Sequence, residues 1–183
     1  MTNQFDNLTA TEIAETIYWD VEGTNVPAAL KAVDALDAGK RTDVVNNLEK
    51  LLVEELRLTS GDFKMFGPLL DGLDSLTSIF GDALSKEEKE EMAKEDAADL
   101  DSMHGACKIV GYVAEVKGDT AHPVIKEVVK TLATLPDADY NSLMKLTKAV
   151  VKAYDTAVAA PQAKETPKAP NPFKKPKKGG YKI

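Results

Sequence analysis

Two carboxylate-x-x-histidine patterns are the groupings in this chain that come nearest to a chemical site. Asp101 and His104 form the first pair, and Asp119 and His122 form the second. Paired motifs of this kind on facing helices build di-iron sites in helical bundles. The carboxylates in those sites are glutamates, however, and His122 stands before Pro123 in an expected loop. We therefore predict no metal and no cofactor, and we assign these side chains to the surface or to helix caps.

The single cysteine stands three residues after His104, so a helix would place both side chains on one face. Such a pair can bind a metal ion, or act as a nucleophile and its base. A structural zinc site needs four ligands, whereas this chain has one cysteine and two histidines in total. The sequence also lacks the G-x-S-x-G, G-x-x-x-x-G-K-[ST] and G-x-G-x-x-G motifs. We therefore expect a non-enzymatic protein with a buried Cys107 and a partly exposed His104.

The charges of the chain are divided unequally between two parts. Residues 161–183 carry seven lysines and one glutamate, a net charge of +6, whereas residues 1–160 carry 16 basic and 29 acidic residues, a net charge of −13. A body of that sign repels nucleic acid and anionic lipid. Binding to any polyanion is therefore expected to begin at the C-terminal segment.

Residues 161–183, named here the basic tail, differ sharply in composition from the rest of the chain. They hold five of the nine prolines and few aliphatic side chains. Burial cannot offset the entropy of ordering such a segment, so we predict a disordered tail. The candidate partner-binding residues are its lysines and aromatic side chains: Lys168, Phe173, Lys174, Lys175, Lys177, Lys178, Tyr181 and Lys182.

Three uses of the basic tail are compatible with this composition. It can dock on an acidic protein surface, with Phe173, Tyr181 and Ile183 as apolar anchors. It can contact nucleic acid without sequence preference, with the aromatic rings stacking on bases. It can also be a solubilising linker. The tail has no arginine, the residue suited to bidentate phosphate recognition, and this favours protein docking.

The elements that position all these groups are predicted to be helices. Thr9 with Glu12, and Ser85 with Glu88, have the spacing of capping boxes. Apolar residues recur every three or four positions through most of the chain, as in amphipathic helices. Residues 106–117 suit a helix or a strand, and we assign them to a helix because no partner strand is evident. The prediction is an all-α fold: a flexible start at 1–8, a single compact acidic domain of about seven or eight short helices at 9–160, and the basic tail.

Helix boundaries between residues 27 and 80 are predicted from glycine, proline and threonine. Gly39 is expected to end the second helix, Thr42 to cap the third, and the breaks at 60–62 and Gly67–Pro68 to divide the apolar stretch that follows. The segment 63–80 either packs in the core or exposes aromatic side chains to a partner. The low aromatic content favours core packing. The acid-rich stretch at 85–101 is predicted to be a solvated helix rather than a nucleic-acid mimic.

Together these features favour an interaction or assembly protein, of which a viral structural or assembly factor is one type. Its acidic helical body would associate with itself or with a larger complex, and its tail would dock a partner that has an acidic surface. A nucleic-acid-associated protein is the first alternative, and a helical enzyme or metal protein is the second. The sequence shows no membrane span and no signal-peptide pattern, and its one cysteine makes no internal disulfide. A cytoplasmic location, or a virion, is therefore expected.

Overall fold

The computed structural model describes residues 4–20, 25–80 and 85–160, and the side chains of all these except 20 and 67–80. The described part is all-α and contains no strand, which confirms the predicted fold class. The α-helices are α1 Ala10–Glu15, α2 Val26–Asp34, α3 Ala38–Phe80, α4 Lys86–Lys117, α5 Pro123–Leu132, α6 Asp137–Tyr140 and α7 Leu143–Ala159. A π-helical turn, Thr16–Asp20, follows α1, and a 3-10 turn, Gly118–Thr120, follows α4.

Both predicted capping boxes are confirmed. The backbone N–H of Glu12 donates to Thr9 Oγ1 over 3.3 Å, and the N–H of Thr9 donates to Glu12 Oε2 over 2.7 Å. Ser85 and Glu88 make the same reciprocal pair at the start of α4. Hydrogen bonds from the cap backbone lower the pKa of both glutamates. Each box satisfies N–H groups that have no partner inside the helix.

The predicted start of the third helix is wrong by several residues. Gly39 lies in the first turn of α3 instead of ending α2, which stops at Asp34. Asp37 Oδ1 accepts a hydrogen bond of 2.9 Å from the N–H of Lys40 and so supplies the cap that we expected from Thr42. The hydroxyl of Thr42 donates instead to the carbonyl of Ala38 inside the helix.

The predicted breaks at 60–62 and Gly67–Pro68 are also wrong, because α3 is one helix of 43 residues. Ser60 is 1% exposed, and its hydroxyl donates over 3.0 Å to Asp155 Oδ1 on α7. A glycine inside a helix costs about 1 kcal/mol relative to alanine, and a tertiary hydrogen bond of this kind can offset that cost. The helix also continues through Pro68. Two of the helices are therefore long, α3 with 43 residues and α4 with 32.

The hydrophobic core joins α1, α3, α4, α5 and α7, and α2 packs Val33 into it at 0% exposure. Its largest fully buried side chains come from each of the first five helices named and from the π-helical turn: Ile13, Ile17, Leu48, Ile109, Ile125 and Leu146. The segment 106–117 lies in α4 and contributes to this core, so its assignment to a helix is confirmed. Phe5 is buried as well, and Lys40 Nζ donates to its carbonyl over 3.0 Å.

A polar cluster fastens the end of α4 to the middle of α3. Lys117 Nζ forms an ion pair with Glu49 Oε2 and donates over 3.0 Å to Asn46 Oδ1. Glu49 Oε1 also accepts a 2.7 Å bond from the N–H of His122. The Lys117 and Glu49 side chains are only 16% and 14% exposed. This cluster holds α3, α4 and the start of α5 in one arrangement.

One end of the α3–α4 pair lies outside the core. Every side chain from 85 to 99 is exposed, as predicted for a solvated acid-rich helix. On α3, Met65 and Phe66 are 72% and 49% exposed, so core packing was the wrong choice for these two residues. The side chains of 67–80, which we placed at the centre of the core, lie outside the described set. No helix in the described ranges is both long and apolar enough to span a bilayer.

Candidate docking groove

The side chain of His104 packs against α6. Its Nε2 lies 2.8 Å from the carbonyl oxygen of Tyr140, and the two rings stack with centroids 4.7 Å apart. The carbonyl oxygen of Tyr140 can accept a hydrogen bond only when Nε2 of His104 carries a proton, so in the neutral ring this contact selects the Nε2–H tautomer. His104 therefore anchors α6 on α4.

Cys107 is buried beside the same tyrosine. Burial raises the pKa of its thiol from 9.0 to about 11, although a hydrogen bond with Tyr140 acts in the opposite direction. The thiolate is the nucleophilic form of cysteine, so this environment suppresses reactivity. The expectation of a buried Cys107 is confirmed.

The second histidine caps a helix. His122 Nδ1 accepts a 3.3 Å bond from the N–H of Val124 in the first turn of α5. Asp119 contributes its backbone carbonyl to Lys126 Nζ over 2.6 Å. The histidines of the two carboxylate-x-x-histidine pairs therefore make separate contacts, His104 with α6 and His122 with the first turn of α5. Within the described ranges, no group of three or more metal-ligating side chains occurs.

A concave groove lies between α3, α4 and α7 and has a volume of about 880 Å³. We name it the α3–α4–α7 groove. Its apolar lining side chains are buried or half-buried, apart from the exposed Ala97. The main apolar contributors are Leu52, Leu56, Phe63, Leu100, Met103, Val110, Leu143, Met144 and Val150. Apolar walls with few polar groups are typical of binding clefts.

The charged side chains that line the groove all have the same sign. Glu55 lies on the α3 side, and Asp96 and Asp99 lie on the α4 side. Among the described lining residues, none is lysine or arginine. The nearby Lys64 pairs with Asp155 over 2.6 Å, and Arg57 pairs with Glu54 over 2.6 Å. The groove therefore favours an occupant with apolar and cationic groups.

The aromatic pair on the π-helical turn marks one side of the groove. Tyr18 is half-buried and lines it. Burial, and then the negative charge of Glu55, raise the pKa of Tyr18, so the phenol stays neutral. Trp19 packs edge-on against Tyr18 at 4.6 Å and is 63% exposed. Because the chain has one tryptophan, its fluorescence reports on this side of the groove alone.

The groove was not predicted from the sequence. The leucine stripe of α3 was visible, but the pairing of α3 with α4 and α7 was not. The partner-binding residues predicted from the sequence all lie outside the described residues: Lys168, Phe173, Lys174, Lys175, Lys177, Lys178, Tyr181 and Lys182. Their role, and the disorder of the basic tail, remain predictions.

Comparison with known proteins assigns no relative to this fold: no family model, no curated protein and no solved structure matches the chain.

Proposed function

We propose that this chain is a non-enzymatic interaction protein, in which the acidic helical body is a platform and the basic tail captures a partner with an acidic surface. The observation that carries the proposal is the separation of charge along the chain, −13 over residues 1–160 and +6 over residues 161–183. Opposite charge on two surfaces steers their encounter and favours correct partners over incorrect ones.

The contacts of the reactive side chains support a role other than catalysis. His104 stacks on Tyr140, and His122 caps α5. Cys107 has a raised pKa in a buried site, which is the opposite of what an activated nucleophile needs. These groups have structural contacts that account for their positions.

The composition of the tail supports protein docking over nucleic-acid contact. Its seven basic residues are all lysines, which act as point charges rather than as bidentate forks. Phe173, Tyr181 and Ile183 add apolar groups that a protein pocket can bury. Contacts between exposed charges are individually weak, so the apolar anchors would supply much of the affinity.

Photo-crosslinking tests this proposal. Phe173 is replaced by p-benzoylphenylalanine, and the crosslinked species are isolated from the cells in which the protein occurs. We expect crosslinks to a protein with an acidic surface, which then binds the purified chain. The matched control carries the same group at Phe66, which is 49% exposed on α3.

A charge test accompanies the crosslinking. Four tail lysines are changed to glutamine: Lys174, Lys175, Lys177 and Lys178. The control makes the same change at four exposed lysines of the body: Lys50, Lys86, Lys89 and Lys94. We expect loss of partner capture only in the first variant. Crosslinks to nucleic acid, or no crosslink above the Phe66 control, would contradict the proposal.

A further inference from the structure

The shape, apolar surface and negative charge of the α3–α4–α7 groove complement the apolar and basic side chains at the C-terminal end of the chain. The groove is open, its surface is largely apolar, and its charged lining residues are Glu55, Asp96 and Asp99. Next to it, residues 86–99 of α4 are exposed and carry seven acidic and three basic side chains, a net charge of −4. An occupant of this groove needs apolar side chains spaced among positive charges.

We propose that residues 172–183 of the same chain occupy the α3–α4–α7 groove when no partner is bound. This inference rests on the proposed function, because it concerns the segment that captures the partner. The chain thereby covers its own apolar groove, and an acidic partner competes with the body for the tail.

Charge complementarity is the first argument. Residues 172–183 contain five lysines and no acidic residue. The groove offers three carboxylates and, among its described lining residues, no competing cation. Each exposed pair contributes little, so the tail is held by several weak contacts and can be released.

Apolar complementarity is the second argument. Phe173 stands near the start of the segment, and Tyr181 and Ile183 stand at its end. The half-buried Phe63, Leu100 and Met103 give these side chains apolar surface to contact. Burial of an aromatic ring in such a cleft contributes more than an exposed ion pair.

The position from which the tail departs is the third argument. Asp155 on α7 accepts hydrogen bonds from Ser60 and Lys64, which lie on either side of the groove residue Phe63 in the sequence. Helix α7 ends at Ala159, about 6 Å further along its axis. The tail therefore starts near the Phe63 end of the groove.

The length of the chain is sufficient for this return. Residues 161–171 span up to roughly 34 Å at about 3.1 Å per residue. The groove runs along α3 from Leu52 to Phe63, about 17 Å of helix, which five or six extended residues cover. No rearrangement of the helices is needed for residues 172–183 to reach it.

Methionine-methyl NMR on the full chain tests this inference. Met103 and Met144 line the groove, whereas Met65 and Met92 are exposed and do not line it. One variant replaces the three apolar tail residues by alanine: Phe173→Ala, Tyr181→Ala and Ile183→Ala. We expect the signals of Met103 and Met144 to shift, with Trp19 emission changing in parallel, while Met65 and Met92 keep their positions.

A second variant weakens the groove side. We expect Asp96→Asn with Asp99→Asn to lower the ratio of bound to unbound tail about three- to tenfold, and to reproduce part of the same shift. Its control, Glu87→Gln with Glu91→Gln, removes the same charge from exposed α4 positions outside the groove lining and should leave Met103 and Met144 unchanged.

The outcomes separate this inference from the proposed function. Unchanged Met103 and Met144 signals in the tail variant would overturn the inference, while partner capture through Phe173 would still be tested by crosslinking. Shifts that depend on protein concentration would also overturn it, because they would place the tail of a second copy in the groove. Equal effects of the Asp96 and Asp99 changes and of their control would show general charge attraction and contradict a groove site.

Discussion

Replacing Lys117 by methionine tests whether the polar cluster between α3 and α4 stabilises the fold. Methionine keeps much of the aliphatic stem and removes the ammonium group. The ion pair with Glu49 and the hydrogen bond to Asn46 are then lost. Glu49 retains the N–H of His122 as a partner, so its carboxylate is not left entirely without a donor.

The expected cost follows from the exposure of the pair. Exposed ion pairs contribute about 0–1 kcal/mol, whereas removal of one member of a buried pair costs about 3–5 kcal/mol. The Lys117 and Glu49 side chains are 16% and 14% exposed, between these limits but closer to burial. We expect a loss of about 2 kcal/mol in the free energy of unfolding, or a fall in Tm of about 4–8 °C.

Urea unfolding followed by far-ultraviolet circular dichroism measures this loss, with Lys130→Met as the matched control. Lys130 pairs with Glu127 over 3.2 Å on the surface of α5, and its side chain is 73% exposed. We expect this control to change the free energy of unfolding by less than about 0.5 kcal/mol. Equal losses in the two variants would refute the argument from burial, as would full additivity between Lys117→Met and Glu49→Gln.

Three further predictions concern titration, thiol chemistry and packing. A hydrogen bond from Lys64 holds the pKa of Asp155 below 3.8. The stabilisation by this carboxylate should therefore be present above pH 3.8 and be lost as the pH falls through the lower pKa of the folded state. Comparison of the acid unfolding of the original chain with that of the Asp155→Asn variant measures this contribution. Cys107, with a pKa of about 11, should hold about a hundredfold less thiolate at mildly alkaline pH than a thiol of pKa 9.0. Because a more basic thiolate is the better nucleophile, the rate with a disulfide reagent should fall by about tenfold, and a rate close to that of a free thiol would contradict the burial. Leu48 is 0% exposed, so Leu48→Ala should lower the free energy of unfolding by about 2–5 kcal/mol, whereas Phe66→Ser should change it by no more than about 0.5 kcal/mol. Thermal unfolding of both variants checks this ranking.

The parts of the fold that the sequence predicted are those determined by neighbours in the chain. The two capping boxes need only residues three apart, so Thr9 and Ser85 were recognised correctly. The surface or cap role predicted for His122 rests on similarly local grounds, whereas residues 106–117 were assigned to a helix because no partner strand was evident.

The errors occurred where a distant contact decides the local structure. Ser60 stays helical in contact with Asp155, which is 95 residues away in the sequence. No pattern near residue 60 carries that information. The exposure of Met65 and Phe66 depends on tertiary packing, so composition alone favoured the wrong environment for them.

The α3–α4–α7 groove was beyond prediction for a related reason. Its lining comes mainly from three helices, with Tyr18, Val128 of α5 and the α6–α7 connection adding to it, and the sequence did not indicate which helices pack together. The expectation of no metal at His104 and Cys107 came from the small number of histidine and cysteine residues in the chain, and it stays a prediction. Composition alone led us to predict a binding role for the basic tail, and that role stays a prediction.

Helix α4 has two halves with different sources of stability. From Gly105 to Val113 it is anchored by core packing, whereas from 85 to 99 it relies on its capping box and on local pairs such as Lys86 with Glu90 at 3.6 Å. A helical segment without a buried face is only marginally stable in water. Its amides should therefore exchange with solvent through local fraying while the core half stays closed. Since Asp96 and Asp99 lie on the fraying half while Met103 and Val110 lie nearer to the core, we expect only this edge of the groove to open and close, so that its width there adapts to occupants of different bulk.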